Sequence, residues 1–308
     1  MELLSRLQHE DGEVRRIAIL DLSDIAEDEH APLFVAALRD PAAAVREEAA
    51  RALEGFENDE AVSGLAELLT DDEADVRAAA AQSLSELKLA QSARLLAPYA
   101  SHHQPFVRHA VLRALRELRA PESIVPALSA LGDTEAAVRR EAVAVLGYLK
   151  YTPALPALAR LATDDADREV RRAAAGALGL ASNASVLPAL LAGLNDPAWQ
   201  VREEAATTLG KLKLAEALGE LVAALQDSYW QVRLRAARSL GRLRDAAAVP
   251  ALLPLLSHDI ANLRRETALA LGEIGNRAAL PALEALRQDA DPEVRKAVRI
   301  AIEQIDRQ

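Results

Sequence analysis

An apolar residue followed by Arg recurs along the whole chain, at Val14, Val45, Val76, Val107, Val138, Val170, Val201, Val232, Leu263 and Val294. The step is 31 residues every time except for 32 between Val138 and Val170. So regular a period marks one supersecondary unit that is repeated, with neighbours stacking to bury an apolar face no unit can bury alone. Within "NDPAWQVREEAATTLGKL" the apolar positions Val201, Ala205, Leu209 and Leu212 fall at i, i+4, i+8 and i+11, one stripe of an α-helix. Five residues before the Val or Leu stands Asp40, Asp71, Asp133, Asp165, Asp196, Asp227 or Asp289, with His9, His102 and His258 in the remaining units. An Asp at that point is expected to cap the helix N-terminus. The upstream half of a unit, as in "VPALLPLLSHD", predicts a shorter helix with Pro near its start.

The pattern predicts an all-α fold: an α-solenoid, a right-handed superhelix of about ten helical hairpins, occupying residues 1–308 as a single domain. At a helix spacing of roughly 8 to 10 Å, such a stack would form a curved rod on the order of 80 to 100 Å long, its second helices lining the concave side.

Composition sharpens this picture. Aromatic residues make up 3% of the chain and apolar residues 51%, so the core is built from Ala, Leu and Val, which suits closely packed helices. Cys is absent, which excludes disulfides, thiolate metal sites and thiol catalysis. The net charge of -11 argues against nucleic acid as a partner, because neutralising phosphates takes a basic surface. No apolar run is long enough to cross a membrane, and "MELLSRLQHEDGEVRR" lacks the basic and then apolar pattern of a secretory signal, so a cytoplasmic protein is expected.

The repeated motif D-x4-V-R-x2-A-A-x2-L-G is seen in "DPAWQVREEAATTLG" and "DSYWQVRLRAARSLG", and with a shifted Asp in "DREVRRAAAGALG". It resembles the HEAT-repeat family, in particular the short bacterial form known as phycobilisome-lyase-type HEAT-like repeats. The resemblance covers essentially the whole chain. It implies a ladder in which each repeated Arg bonds to Asp carboxylates or backbone at the repeat junctions. It implies a fold and not a single function, since such folds carry many unrelated activities.

Individuality is then expected at positions away from the core stripe. Two residues after the Val these include His109, Arg140, Arg172, Glu203 and Leu234, and six after it Arg113, Ala144, Gly176 and Arg238. This face is more basic than the chain as a whole, and Ala144 and Gly176 would leave it open. It fits an acidic protein partner, or else its Arg side chains serve only to solubilise the helices beside Glu48, Glu141, Glu204 and Glu266. From Asp227 to Arg244 there are five Arg and one Asp, a local net of +4, with Tyr229 and Trp230 just ahead of the five Arg and Trp199 in the preceding repeat. Arg, Trp and Tyr are the common anchors of protein interfaces. Trp199, Tyr229, Trp230, Leu234, Arg235, Arg238 and Arg242, with Arg140 and Arg172, are therefore the candidate partner-binding residues. Trp199 and Trp230 are expected to flank one another. The competing role is to cover the junction between hairpins, as for Phe106, and Tyr148 and Tyr151 are weaker candidates at a helix end.

Chemistry is less promising. His102, His103 and His109 form the densest His cluster, but one replaces the capping Asp and another faces outward, so no metal is expected. HEAT-like deoxyhypusine hydroxylases hold two irons with His-Glu pairs on their second helices, where this chain has Glu47-Glu48, Arg140-Glu141 and Glu203-Glu204; its His9-Glu10 pair lies in a turn. HEAT-like DNA glycosylases use a strongly basic groove, which an acidic chain does not offer. No Ser-His-Asp set or phosphate-binding Gly loop is present. The expectation is a non-enzymatic protein-binding scaffold or chaperone-like accessory protein without a cofactor. The alternative is an accessory of the bilin-lyase type, needing a pocket of tetrapyrrole size.

Overall fold

The computed structural model describes residues 2–25 and 27–307, and all regular structure among them is helical. It falls into two compact units, Met1–Tyr151 and Thr152–Gln308. The long second helices of the first unit are α1 (Gly12–Ser23), α2 (Ala43–Ala52), α3 (Ala74–Ser85), α4 (Pro105–Leu118) and α5 (Ala136–Tyr148). Those of the second are α6 (Arg168–Ala177), α7 (Trp199–Leu212), α8 (Trp230–Leu243), α9 (Ala261–Ile274) and α10 (Pro292–Asp306). Within each unit consecutive second helices pack on one another. The first helices are shorter and several begin with Pro in the first turn, as in Leu187–Gly193 and Leu280–Ala285, where a missing N–H costs nothing.

The apolar stripe lies where the period puts it. Val201, Ala205 and Leu209 are fully buried, while Leu212, in the last turn of α7, is half-buried. Small residues let neighbouring helices approach closely. Gly241 of α8 faces Ala270 of α9, and a Cβ on Gly241 would lie 2.8 Å from the Ala270 Cα and 3.0 Å from its Cβ. Gly210 stands in the same way against Ser239, whose Oγ donates to the Ala206 carbonyl at 2.7 Å.

The repeated Asp is not the N-cap, as expected from its spacing, but stands two residues before it. In α2, α3 and α7 the caps are Ala42, Glu73 and Ala198, none with a capping side chain. Asp40, Asp71 and Asp196 instead accept the N–H of those residues, at 2.8, 2.9 and 2.8 Å. This tight turn aims the chain into the helix. The His replacements do the same through the ring: Nδ1 of His9, His102 and His258 accepts the N–H of Asp11, Gln104 and Ile260. Among the second helices, side-chain capping proper is done by Asp11, Asp167 and Asp291.

The other face of the same carboxylate makes the ladder. Arg202 donates through Nε and Nη2 to the two Asp227 oxygens at 2.6 and 3.0 Å, and through Nη1 to the Asp196 carbonyl at 2.8 Å. The same bidentate rung joins Arg15 to Asp40, Arg46 to Asp71, Arg108 to Asp133, Arg171 to Asp196 and Arg264 to Asp289. Burial would raise the Asp227 carboxyl, but the bonds from Arg202 and the Tyr229 amide outweigh it and hold the group below the ordinary carboxylate range.

His preserves the turn and forfeits the rung. Where Asp would receive Arg77 stands His102, and Arg77 keeps its bonds to the Asp71 and Asp72 carbonyls while its guanidinium lies 5.9 Å from the Phe106 ring centroid. Where Asp would receive Arg233 stands His258, and the buried Arg233 Nε has no hydrogen-bond partner. His258→Asp is expected to complete that rung and stabilise the protein by about 1–2 kcal/mol, the value of satisfying a buried charged donor. An unchanged or lower urea midpoint would show that Arg233 cannot reach the position.

Candidate functional site

The aromatic group in the second unit is built on the ladder. Trp199 opens α7, and Tyr229, the N-cap of α8, stands one repeat later. Their rings stack with centroids 5.5 Å apart at 17°. The ring that meets Trp199 is thus that of Tyr229 and not that of Trp230. The reason is positional: the Asp227 turn fixes the Tyr229 backbone, and the Arg202 guanidinium lies 5.6 Å from the Tyr229 ring centroid. Tyr229 is therefore held by a ring and a cation, yet remains 44% exposed. Trp230 and Leu234, which follow on α8, are half-buried.

The basic helix α8 is less basic than its composition. Arg235 pairs with Glu203 of α7 at 2.9 Å, and Arg238 makes a bidentate pair at 2.6 and 2.8 Å with Glu266 of α9, whose side chain is buried. Arg242, half-buried, makes no ion pair among the described residues. Arg172 is tied to Glu169 of its own helix at 3.0 Å. Gly176 does not leave the face open either, because the Glu204 side chain leans into the space and a Cβ there would meet its Oε1 at 2.9 Å. Burial, chiefly, raises the Glu204 carboxyl, against the charges of Arg172 and Arg235.

In the first unit, α4 and α5 carry a second cationic group, in which Arg116 and Arg119 join the Arg113 and Arg140 expected on the basic face. His109 lies among the charges of Arg113, Arg116 and Arg140, with its Nε2 3.8 Å from the buried Glu141. Burial, and then the charges of Arg140, Arg113 and Arg116 against that of Glu141, hold His109 below the ordinary histidine range. Arg116 bonds to Glu141 at 2.9 Å and to Glu117 at 2.9 and 3.0 Å. Tyr148 ends α5, half exposed, with the guanidinium groups of Arg116 and Arg119 at 5.8 and 5.1 Å from its ring centroid. The signal in the sequence was the three-residue spacing of Arg113, Arg116 and Arg119 in "RALRELR", the first two on one side of α4 and the third just past its end.

His102 and His103 lie ring to ring at 4.2 Å, and no group of three or more potential metal ligands gathers among the described residues. No helix among them is long and apolar enough to cross a membrane. An open hollow of about 680 Å³ lies among first-helix side chains of the first unit, with Val35, Leu38 and Arg39 facing Glu60 and Glu67.

Comparison with known proteins agrees with the architecture. An engineered protein is 22% identical with a TM-score of 0.57, covering 99% of this chain and 98% of its own. YIBA_ECOLI is 22% identical with a TM-score of 0.56, covering 94% and 96%. Kap95p, in a structure where its binding switches the loops of RanGDP, is 16% identical with a TM-score of 0.64, and the match covers 99% of this chain and 49% of Kap95p. No curated protein matches the sequence. The family profile described as HEAT repeats matches residues 1–85, 64–127, 92–178, 124–210, 155–229 and 218–303. With a bidentate Arg–Asp rung at the repeat junctions and that profile running almost from end to end, the chain belongs to the HEAT-repeat family.

Proposed function

We propose that the chain is a non-enzymatic scaffold or chaperone-like accessory that binds a protein partner on its second-helix face, with the Trp199–Tyr229 ledge and α8 as the anchoring site. The observation that carries the reading is the stacked, cation-backed and still exposed Tyr229 ring. A ring already fixed by its neighbours loses little freedom on binding, which is what an interface anchor requires. Trp230, Leu234 and Arg242 extend the ledge along α8. Arg235 and Arg238 of α8 are committed to ion pairs with Glu203 and Glu266, and Arg172 and Arg140 lie on other helices. That a HEAT protein such as Kap95p binds a folded protein is consistent with such a role.

Arg238 is unsuitable as a probe of binding, because a charge reversal there would set two carboxylates together at the buried Glu266. Trp230→Ala with Arg242→Glu leaves that pair intact. The double variant is expected to lose about tenfold in affinity for a partner captured from native extract while its helical spectrum and melting stay unchanged. Equal capture by the variant, or no capture by the parent chain, would refute the assignment. The bilin-lyase alternative predicts a coloured adduct when the chain is mixed with bilin and candidate apoprotein; absorbance is expected to show none.

A further inference from the structure

The α4–α5 face of the first unit has a charge imbalance that the Trp199–Tyr229 ledge lacks. Two carboxylates lie within it, Glu117 and Glu141, and Arg116 takes both. Arg113 reaches only the Gln82 amide oxygen, at 3.5 Å, which is the limit of a hydrogen bond. Arg119, exposed in a left-handed conformation just past α4, touches the Tyr148 ring and no carboxylate. Arg140 is exposed and makes no ion pair among the described residues. Three guanidinium groups on one face are thus uncompensated in a chain whose net charge is -11. Beside them Tyr148 shows half its surface, its ring steadied by two cations.

We propose that this face binds an acidic peptide segment of a partner protein, its carboxylates on Arg113 and Arg140 and an aromatic or apolar side chain against Tyr148. The proposal rests on the reading of the chain as a protein-binding scaffold, but places the contact on a different unit from the ledge. Arg140 and Tyr148 are eight residues apart on one helix, or roughly 12 Å along its axis. An extended peptide covers that in about four residues at ~3.3 Å each. The segment recognised therefore carries a Glu or Asp about four positions from an aromatic residue. Guanidinium groups not committed to a partner form strong bidentate bonds to carboxylates, and the surrounding negative charge of the chain disfavours long polyphosphates.

The test uses the full chain and a fluorescein-labelled peptide of Glu and Gly residues with one Phe, read by anisotropy. The parent chain is expected to bind it with an affinity that falls as salt rises. Arg113→Glu with Arg140→Glu is expected to weaken binding by about tenfold or more, and Tyr148→Ala by several-fold. Neither Arg113 nor Arg140 holds a carboxylate, so melting should not change, and circular dichroism checks this. Trp230→Ala with Arg242→Glu should bind the peptide like the parent chain, so failure of the ledge and failure of this face are separate results. Absence of peptide binding, equal binding by the Arg variant, or tighter binding of a single-stranded DNA oligonucleotide would overturn the proposal.

Discussion

Asp227→Ala is expected to destabilise the protein by about 3 kcal/mol, at the low end of the range for breaking a buried ion pair because the two side chains keep some exposure. The carboxylate has three donors to answer: Nε and Nη2 of Arg202 and the N–H of Tyr229. Removing it leaves Arg202 with backbone carbonyls and a ring, and frees the turn that fixes Tyr229. Loss of the Tyr229 ledge should follow, so capture of a partner weakens together with stability. The effect depends on pH in a definite direction. Asp227 titrates below its unfolded value, so its contribution is full above a pH of about 4 and is lost as pH falls through the lower folded value. Urea midpoints of parent and variant should therefore differ most at neutral pH and converge in strong acid. A difference that persists there would assign the stabilisation to something other than the carboxylate.

Gly241→Val is expected to cost about 3 kcal/mol, the upper part of the range for overpacking a core. On an exposed helix, replacing Gly by Ala would gain about 1 kcal/mol in propensity. Here the first added carbon already stands 2.8 Å from the Ala270 Cα, and a backbone atom cannot rotate away. Two further methyl groups would push α8 off α9 along their shared length. Gly241→Ala provides the graded control, since it should also destabilise in spite of the propensity gain. Denaturation midpoints check both variants, and a stabilised Gly241→Ala would mean that the helices separate more freely than their contact implies.

The sequence made the architecture legible because one period sets everything that recurs. Val201 and Leu209 are buried where the stripe puts them, and Arg202 meets Asp227 across a repeat. What stayed hidden depends on the stagger between helices, which a period does not encode. Arg235 reaches back to Glu203 across 32 residues, and Arg238 forward to Glu266 across 28, so two cations counted as available are neutralised. Trp199 finds Tyr229 and not Trp230 because the Asp turn, and not the helix register, sets that ring. The basic face at Arg113 and Arg140 was legible, but its surplus charge shows only once Arg116 is seen to take both nearby carboxylates.

In an array where each repeat touches only its neighbours, junctions act as links in series. The missing rung at Arg233 and His258 is then a thermodynamic hinge point, setting where cooperativity breaks and not how stable the average repeat is. Opening fluctuations should start between α8 and α9, exposing amides there before those around the intact rung of Arg202 and Asp227. A substitution that retained a turn while dropping a bond thus also divides the second unit into segments that can breathe independently.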